Sequence, residues 1–98
     1  MPTINIVRDT SGSVSFAPST TQLVGGDFVI WVNQDPQSDH HPTQAGEPAD
    51  YWMNNPLPSA VAGQPFATSP AIILSGPEPI SYVDAIDSAI VPGTITFA

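Results

Sequence analysis

The chain has 98 residues, 41% of them hydrophobic, which is enough for a core in one domain spanning 1–98 and too much for a disordered segment. Nine carboxylates stand against a single cation, Arg8, so the formal net charge is −8 with histidine neutral. That balance excludes nucleic acid, whose phosphates need Lys and Arg, and disfavours anionic membrane surfaces. No apolar run approaches the roughly 20 residues of a membrane span, and no membrane insertion is expected. There is no cysteine, hence no disulfide from which to read a redox compartment. The opening Met1-Pro2-Thr3-Ile4 lacks the charged and apolar regions of a signal peptide. The Ser-, Thr- and Pro-rich, lysine-free composition leans towards a periplasmic or secreted protein with any leader removed.

Twelve prolines and seven glycines punctuate the chain so closely that only residues 80–91 could hold several helical turns. Short β-branched and aromatic runs lie between them. Thr3 to Val7 alternates, with Ile4 and Ile6 on one face. Ser13 to Phe16 alternates too, with Val14 and Phe16 inward, and Ser11-Gly12 suits a hairpin turn between the two runs. Gly25-Gly26-Asp27 marks the next turn. Phe28 to Asn33 is the strongest strand, and its near-continuous apolar character predicts burial on both faces. Gln34 to about Gln64 shows no clear strand and holds both histidines; it is too long for a simple connection and reads as a functional or decorated loop. Ala71 to Leu74, Ile80 to Val83 and Thr94 to Phe97 complete about seven strands. The class is all-β, a single-domain sandwich with a long central loop.

Several segments, in order, resemble the plastocyanin-like cupredoxins. Ser15-Phe16-Ala17-Pro18 is similar to that family's Phe-x-Pro strand end, and Leu23-Val24-Gly25-Gly26-Asp27 to its Val-x-x-Gly-Asp turn. Trp31-Val32-Asn33-Gln34-Asp35 is similar to its Asn-x-Asp strand end. Tyr82 to Ile95 resembles the closing Tyr-x-Cys-x-x-His-x-x-Met-x-Gly-x-Ile without the Cys, His or Met. The resemblance departs between about Ala45 and Pro70. It implies a Greek-key cupredoxin-like sandwich with a degenerate copper site. Anchored on Tyr82, Asp84 stands at the cysteine position, Asp87 at the second histidine and Ile90 at the methionine. Anchored on Gly93, these positions become Ala85, Ser88 and Val91. Neither alignment supplies the thiolate on which a type 1 copper site depends. Family spacing counted from Asn33 puts the first histidine ligand at Asp39, or at His40 if the loop is one residue longer.

Asp39-His40-His41 is the densest group of candidate metal ligands, of types that suit copper(II) or zinc. In an extended segment Asp39 and His41 share a face and His40 points the other way. That shared face could meet Asp84 and Asp87 if the family's loop proximity holds. Asp84 and Asp87 also read as a carboxylate pair of the kind glycosidases use, although two solvated aspartates in a loop need no such role. Asn33 and Asp35 read as residues that satisfy turn backbone. Tyr51-Trp52-Met53 could contact a protein or glycan partner, the alternative being a small core of the loop itself with Trp52 covering one end of the sandwich. The expectation is a redox-silent binding or structural module, not an enzyme and with no cofactor. A mononuclear copper or zinc protein using His40 or His41 with aspartates is the first alternative, and a carboxylate-based hydrolase the second.

Overall fold

Ile4 and Ile6 are fully buried on the inner face of β1 (Thr3–Arg8), and a tight turn returns the chain into β2 (Val14–Ala17). The structure is a computed structural model in which residues 2–24 and 26–98 are described. Asp9 organises the turn. Its Oδ1 accepts the backbone N–H groups of Ser11 and Ser13 and the Ser11 hydroxyl, while Gly12 takes a φ of 91°. The Ser11 hydroxyl first, and then the Ser13 amide, hold the Asp9 carboxyl below the usual aspartate range. In the turn expected at Gly25-Gly26-Asp27, Gly25 lies outside the described residues, and the Asp27 N–H donates to the Val24 carbonyl at 2.9 Å.

The remaining strands are β3 (Thr20–Leu23), β4 (Phe28–Asn33), β5 (Pro42–Gln44), β6 (Ala67–Thr68), β7 (Ile72–Ile73), β8 (Ile80–Asp84) and β9 (Gly93–Phe97). They form two sheets. One runs β2-β1-β4-β6, with β7 also paired to β4; the other runs β3-β9-β8-β5. The pairs β1–β4 and β3–β9 are parallel and the rest antiparallel. β6 and β7 are one strand interrupted at Ser69-Pro70. Ser69 fills the break, donating its N–H to the Trp31 carbonyl and accepting the Trp31 N–H on its hydroxyl. Among the described residues, no helix is long and apolar enough to cross a membrane.

One expectation changes and two are sharpened. β4 is buried on one face only: Val29, Trp31 and Asn33 point inward, while Phe28, Ile30 and Val32 are half-exposed. Its apolar run reflects the preference of a central strand for β-branched side chains, with no second layer over its outer face. The strand expected at Ile80 to Val83 is β8, which runs one residue further to Asp84 and is followed by turns, so the one interval long enough for a helix holds none. The central stretch does contain β5 and a bridge between His40 and Leu57. β3 and β5 have few apolar residues and β6 has two residues in all, so hydropathy alternation could not announce them.

Between the sheets sits an aromatic cluster. The Trp31 ring stacks on Trp52 at 4.9 Å between centroids and meets Tyr82 edge-on at 5.4 Å; Tyr82 meets Phe16 at 4.7 Å. Tyr82 lies so close over Gly93 that a Cβ there would fall 2.1 Å from the ring, which requires glycine at the start of β9. Ile4, Ile6, Leu23, Val29, Ile90 and Ile95 surround these rings with aliphatic side chains.

Candidate functional site

The parallel register of β1 and β4 pairs Ile6 with Asn33, so Arg8 and Asp35, each two residues further on, leave the sheet side by side. The guanidinium grips Asp35 with both arms, Nε to Oδ1 at 2.8 Å and Nη2 to Oδ2 at 2.9 Å. Its third nitrogen donates to the Gly12 carbonyl at 2.9 Å, so the chain's one basic residue is committed within the fold.

Asn33 shapes the loop after β4. Its Oδ1 accepts the Asp35 N–H, and its Nδ2 lies 3.0–3.1 Å from the carbonyls of Ser38, Leu57 and Pro58. The loop is thereby pulled inward and His40 enters the interior, fully buried and paired through its backbone to Leu57. Its Nε2 lies 2.7 Å from Asp35 Oδ2 and its Nδ1 2.5 Å from Asp84 Oδ2. The β5–β8 register, Pro42 opposite Asp84, brings that second carboxylate into place. Asp84 Oδ1 in turn accepts the backbone N–H groups of His41 at 2.6 Å and Ile86 at 3.2 Å.

Arg8, Asp35, His40 and Asp84 thus form a continuous chain. A proton on each ring nitrogen lets His40 donate to both carboxylates, and the charges then alternate in sign along the four groups. Burial works to raise the Asp35 pKa. The hydrogen bonds from Arg8, His40 and the Gln37 N–H, together with the Arg8 charge, outweigh it and hold the carboxyl well below the usual range. The hydrogen bond to Asp35, against the opposing effect of burial, raises Arg8 above the usual arginine value. Removing one member of such a chain strands the charges that remain.

The candidate residues are distributed differently from the geometry expected of an extended segment. His40, not Asp39 and His41, faces Asp84. Asp39 is exposed, and its Oδ1 accepts the Ser59 N–H. The His41 ring is buried and its Nε2 donates to the Met53 carbonyl at 2.8 Å, so that only its main chain touches Asp84. Asp87 is half-exposed and caps its own turn by accepting the Ala89 N–H. Asp84 and Asp87 therefore do not form an open pair: Asp84 is 3% exposed, with both oxygens engaged. Of the aromatic segment, Tyr51 is exposed, Trp52 is half-buried against Trp31, and Met53 belongs to the core. The loop does fold back, because the Trp31 face offers Trp52 an apolar platform.

Read from the sequence, Asp35 belongs to the turn backbone, and Arg8 can pair with at most one or two of the nine carboxylates without any sign of which. Asp35 does serve the turn, through the Gln37 N–H, but it is also the centre of the charged chain. The sequence does hold a usable signal. A lone arginine at a strand end, beside an aspartate at the end of a neighbouring apolar strand, is a candidate buried pair.

These residues do not fit type 1 copper. The sequence has no thiolate, and both His40 nitrogens are engaged by carboxylates that lie on opposite sides of the ring. No metal placed on one nitrogen could reach both. Among the described residues, no three His, Cys, Asp or Glu side chains gather so as to hold a metal ion.

The sandwich, with His40 and Asp84 meeting between the β4–β5 loop and β8, is a cupredoxin fold without a blue-copper centre. Among solved structures it is similar to a purple cupredoxin from Nitrosopumilus maritimus, with a TM-score of 0.75 at 16% identity and each chain covered in full. It is also similar to plastocyanin from Dryopteris crassirhizoma, with a TM-score of 0.64 at 15% identity, 98% of this chain and 99% of that one. A copper-containing nitrite reductase from Thermus scotoductus SA-01 matches the whole chain over 22% of its own length, at a TM-score of 0.65 and 20% identity. No protein-family model and no curated protein matches the chain. Likeness at such identities establishes the fold; the chemistry of those proteins is their own.

Proposed function

We propose that this protein is a redox-silent binding module in which a charged side-chain chain performs the structural work of a metal. One observation carries the reading: His40 lies between Asp35 and Asp84 with both ring nitrogens bonded, joining the β4–β5 loop to β8 where a copper ligand set would join them. The bridge needs no electron acceptor and no exogenous ion. It fixes the end of the sandwich from which the long central loop departs. Tyr51 and the outer side of Trp52 are the contact surface on that loop, aromatic and accessible, for a protein or glycan partner.

Calorimetric titration of the protein with copper(II) and then zinc tests the reading, with His40→Ala and His41→Ala as controls. The expected result is no tight one-to-one binding to the parent protein. Tight binding abolished by His40→Ala would replace the proposal with that of a mononuclear metal protein. Loss on His41→Ala alone would do the same and move the site to the Met53 side of the loop.

A further inference from the structure

The central loop carries a second surface that the aromatic segment does not use. Residues 60–66 and the loop that follows β4 line an open groove of about 350 Å³, with Pro36, Ala60, Val61 and Phe66 as apolar walls and Gln34 and Gln64 as polar ones. Val61 is 61% exposed and Phe66 48% exposed, so the groove presents apolar side chains that the fold itself does not cover. Its walls are firmly held. The Ala60 N–H donates to the Asp35 carbonyl at 2.8 Å, and the Ser59 N–H donates to Asp39 at 2.9 Å. One wall is thus anchored on the buried charged chain, and an exposed carboxylate stands at its end.

Charge determines what can occupy the groove. The two buried carboxylates, Asp35 and Asp84, are bonded to Arg8 and to the two ring nitrogens of His40, so the guanidinium and the imidazole are both engaged there. The other seven carboxylates are half-exposed or exposed, with no Lys or second Arg anywhere in the chain to balance them. A second copy of this chain would bring the same unbalanced negative surface against itself, and repulsion opposes that pairing. A segment carrying Lys or Arg beside an apolar anchor satisfies both features at once, the anchor against Val61 and Phe66 and the cation at Asp39. We infer that the Val61–Phe66 groove docks a cationic segment of another protein through one apolar anchor residue. The inference rests on reading the domain as a binding module and names the chemistry of its partner.

The test uses three synthetic peptides on the full chain, followed by amide chemical-shift mapping. One has a single Phe anchor flanked by lysines, one the same anchor flanked by glutamates, and one the lysines with serine in place of the anchor. The lysine-flanked anchor is expected to bind at least about ten-fold more tightly than either control. Its shifts should be confined to residues 34–39 and 59–66, and its affinity should fall as salt rises. Phe66→Ser and Val61→Ser, both at exposed positions, should leave the melting temperature unchanged and abolish the preference. Equal affinity for all three peptides, no binding, or binding indifferent to both substitutions would overturn the inference. So would a groove substitution that changed self-association in sedimentation, which would assign the face to a second copy. Shifts centred on Tyr51 and Trp52 would also overturn it, while leaving the binding-module reading intact.

Discussion

The middle of the sandwich and its loop-bearing end are built on opposite principles. Around Trp31, Tyr82 and Phe16 the structure relies on area: stacked and edge-on rings, aliphatic neighbours, and a glycine where a ring needs room. Polar satisfaction there is incomplete, since the buried Trp31 Nε1 and Tyr82 hydroxyl have no hydrogen-bond partner among the described residues. Burial alone pushes the Tyr82 phenol well above the usual tyrosine range. At the other end, Arg8, Asp35, His40 and Asp84 are joined group by group with directional bonds. Packing tolerates an occasional orphaned polar atom. A chain of buried polar and charged groups tolerates the loss of none, because each member is the hydrogen-bond partner of the next.

The largest effects should come from breaking each region at its centre. His40→Ala leaves Asp35 and Asp84 facing a void and is expected to cost about 3–5 kcal/mol near neutral pH. Trp31→Ala should cost a similar amount, about 3–5 kcal/mol, by opening a cavity. Urea denaturation followed across pH separates the two. The His40→Ala loss should shrink in acid, because the His40 hydrogen bond is one of those that hold the Asp35 carboxyl below its usual range and that stabilisation fades as pH falls, whereas the Trp31→Ala loss should stay constant. Equal pH dependence in both variants would erase the distinction between the regions.

Gly93→Ala comes next, at about 1–3 kcal/mol from overpacking against Tyr82, read as a lower melting temperature. A graded effect is expected from Asp35, whose folded pKa lies below its unfolded one. Its stabilisation is complete above the ordinary aspartate value near 3.8 and is lost as pH falls from there through the depressed folded value. Acid titration of stability should show that loss in the parent protein and a flatter profile in Asp35→Asn, which starts from a lower neutral-pH stability. Smallest of all, Ile73→Ser on the outer side of β7 should change stability by less than about 0.5 kcal/mol, since that side chain is 73% exposed.

Much of the fold is legible in the chain because the long strands advertise their period. Ile4 and Ile6 give β1 its inner face, Val14 and Phe16 suggest β2, and the ordered segments from Ser15 to Asp35 and from Tyr82 to Ile95 carry the resemblance to cupredoxins. β3 and β6 are not legible, because one is Thr-rich and the other too short to alternate. Two members of the charged chain, His40 and Asp84, stand among the candidate residues that the sequence offers, but which ring meets which carboxylate is not legible. An extended geometry for residues 39–41 puts His40 on the wrong face. In the fold, the hydrogen bonds of Asn33 to three carbonyls bend that segment inward.

By itself the sequence determined the all-β class, the absence of a thiolate and the shortage of basic residues, because composition and short-range alternation are properties of the chain alone. Only the tertiary structure decided that the single arginine, two of the nine aspartate and glutamate residues and one of the two histidines are consumed by one another. Those partners lie 27, 5 and 44 residues apart, and they meet because two strand registers, β1 on β4 and β5 on β8, carry them to the same end of the sandwich.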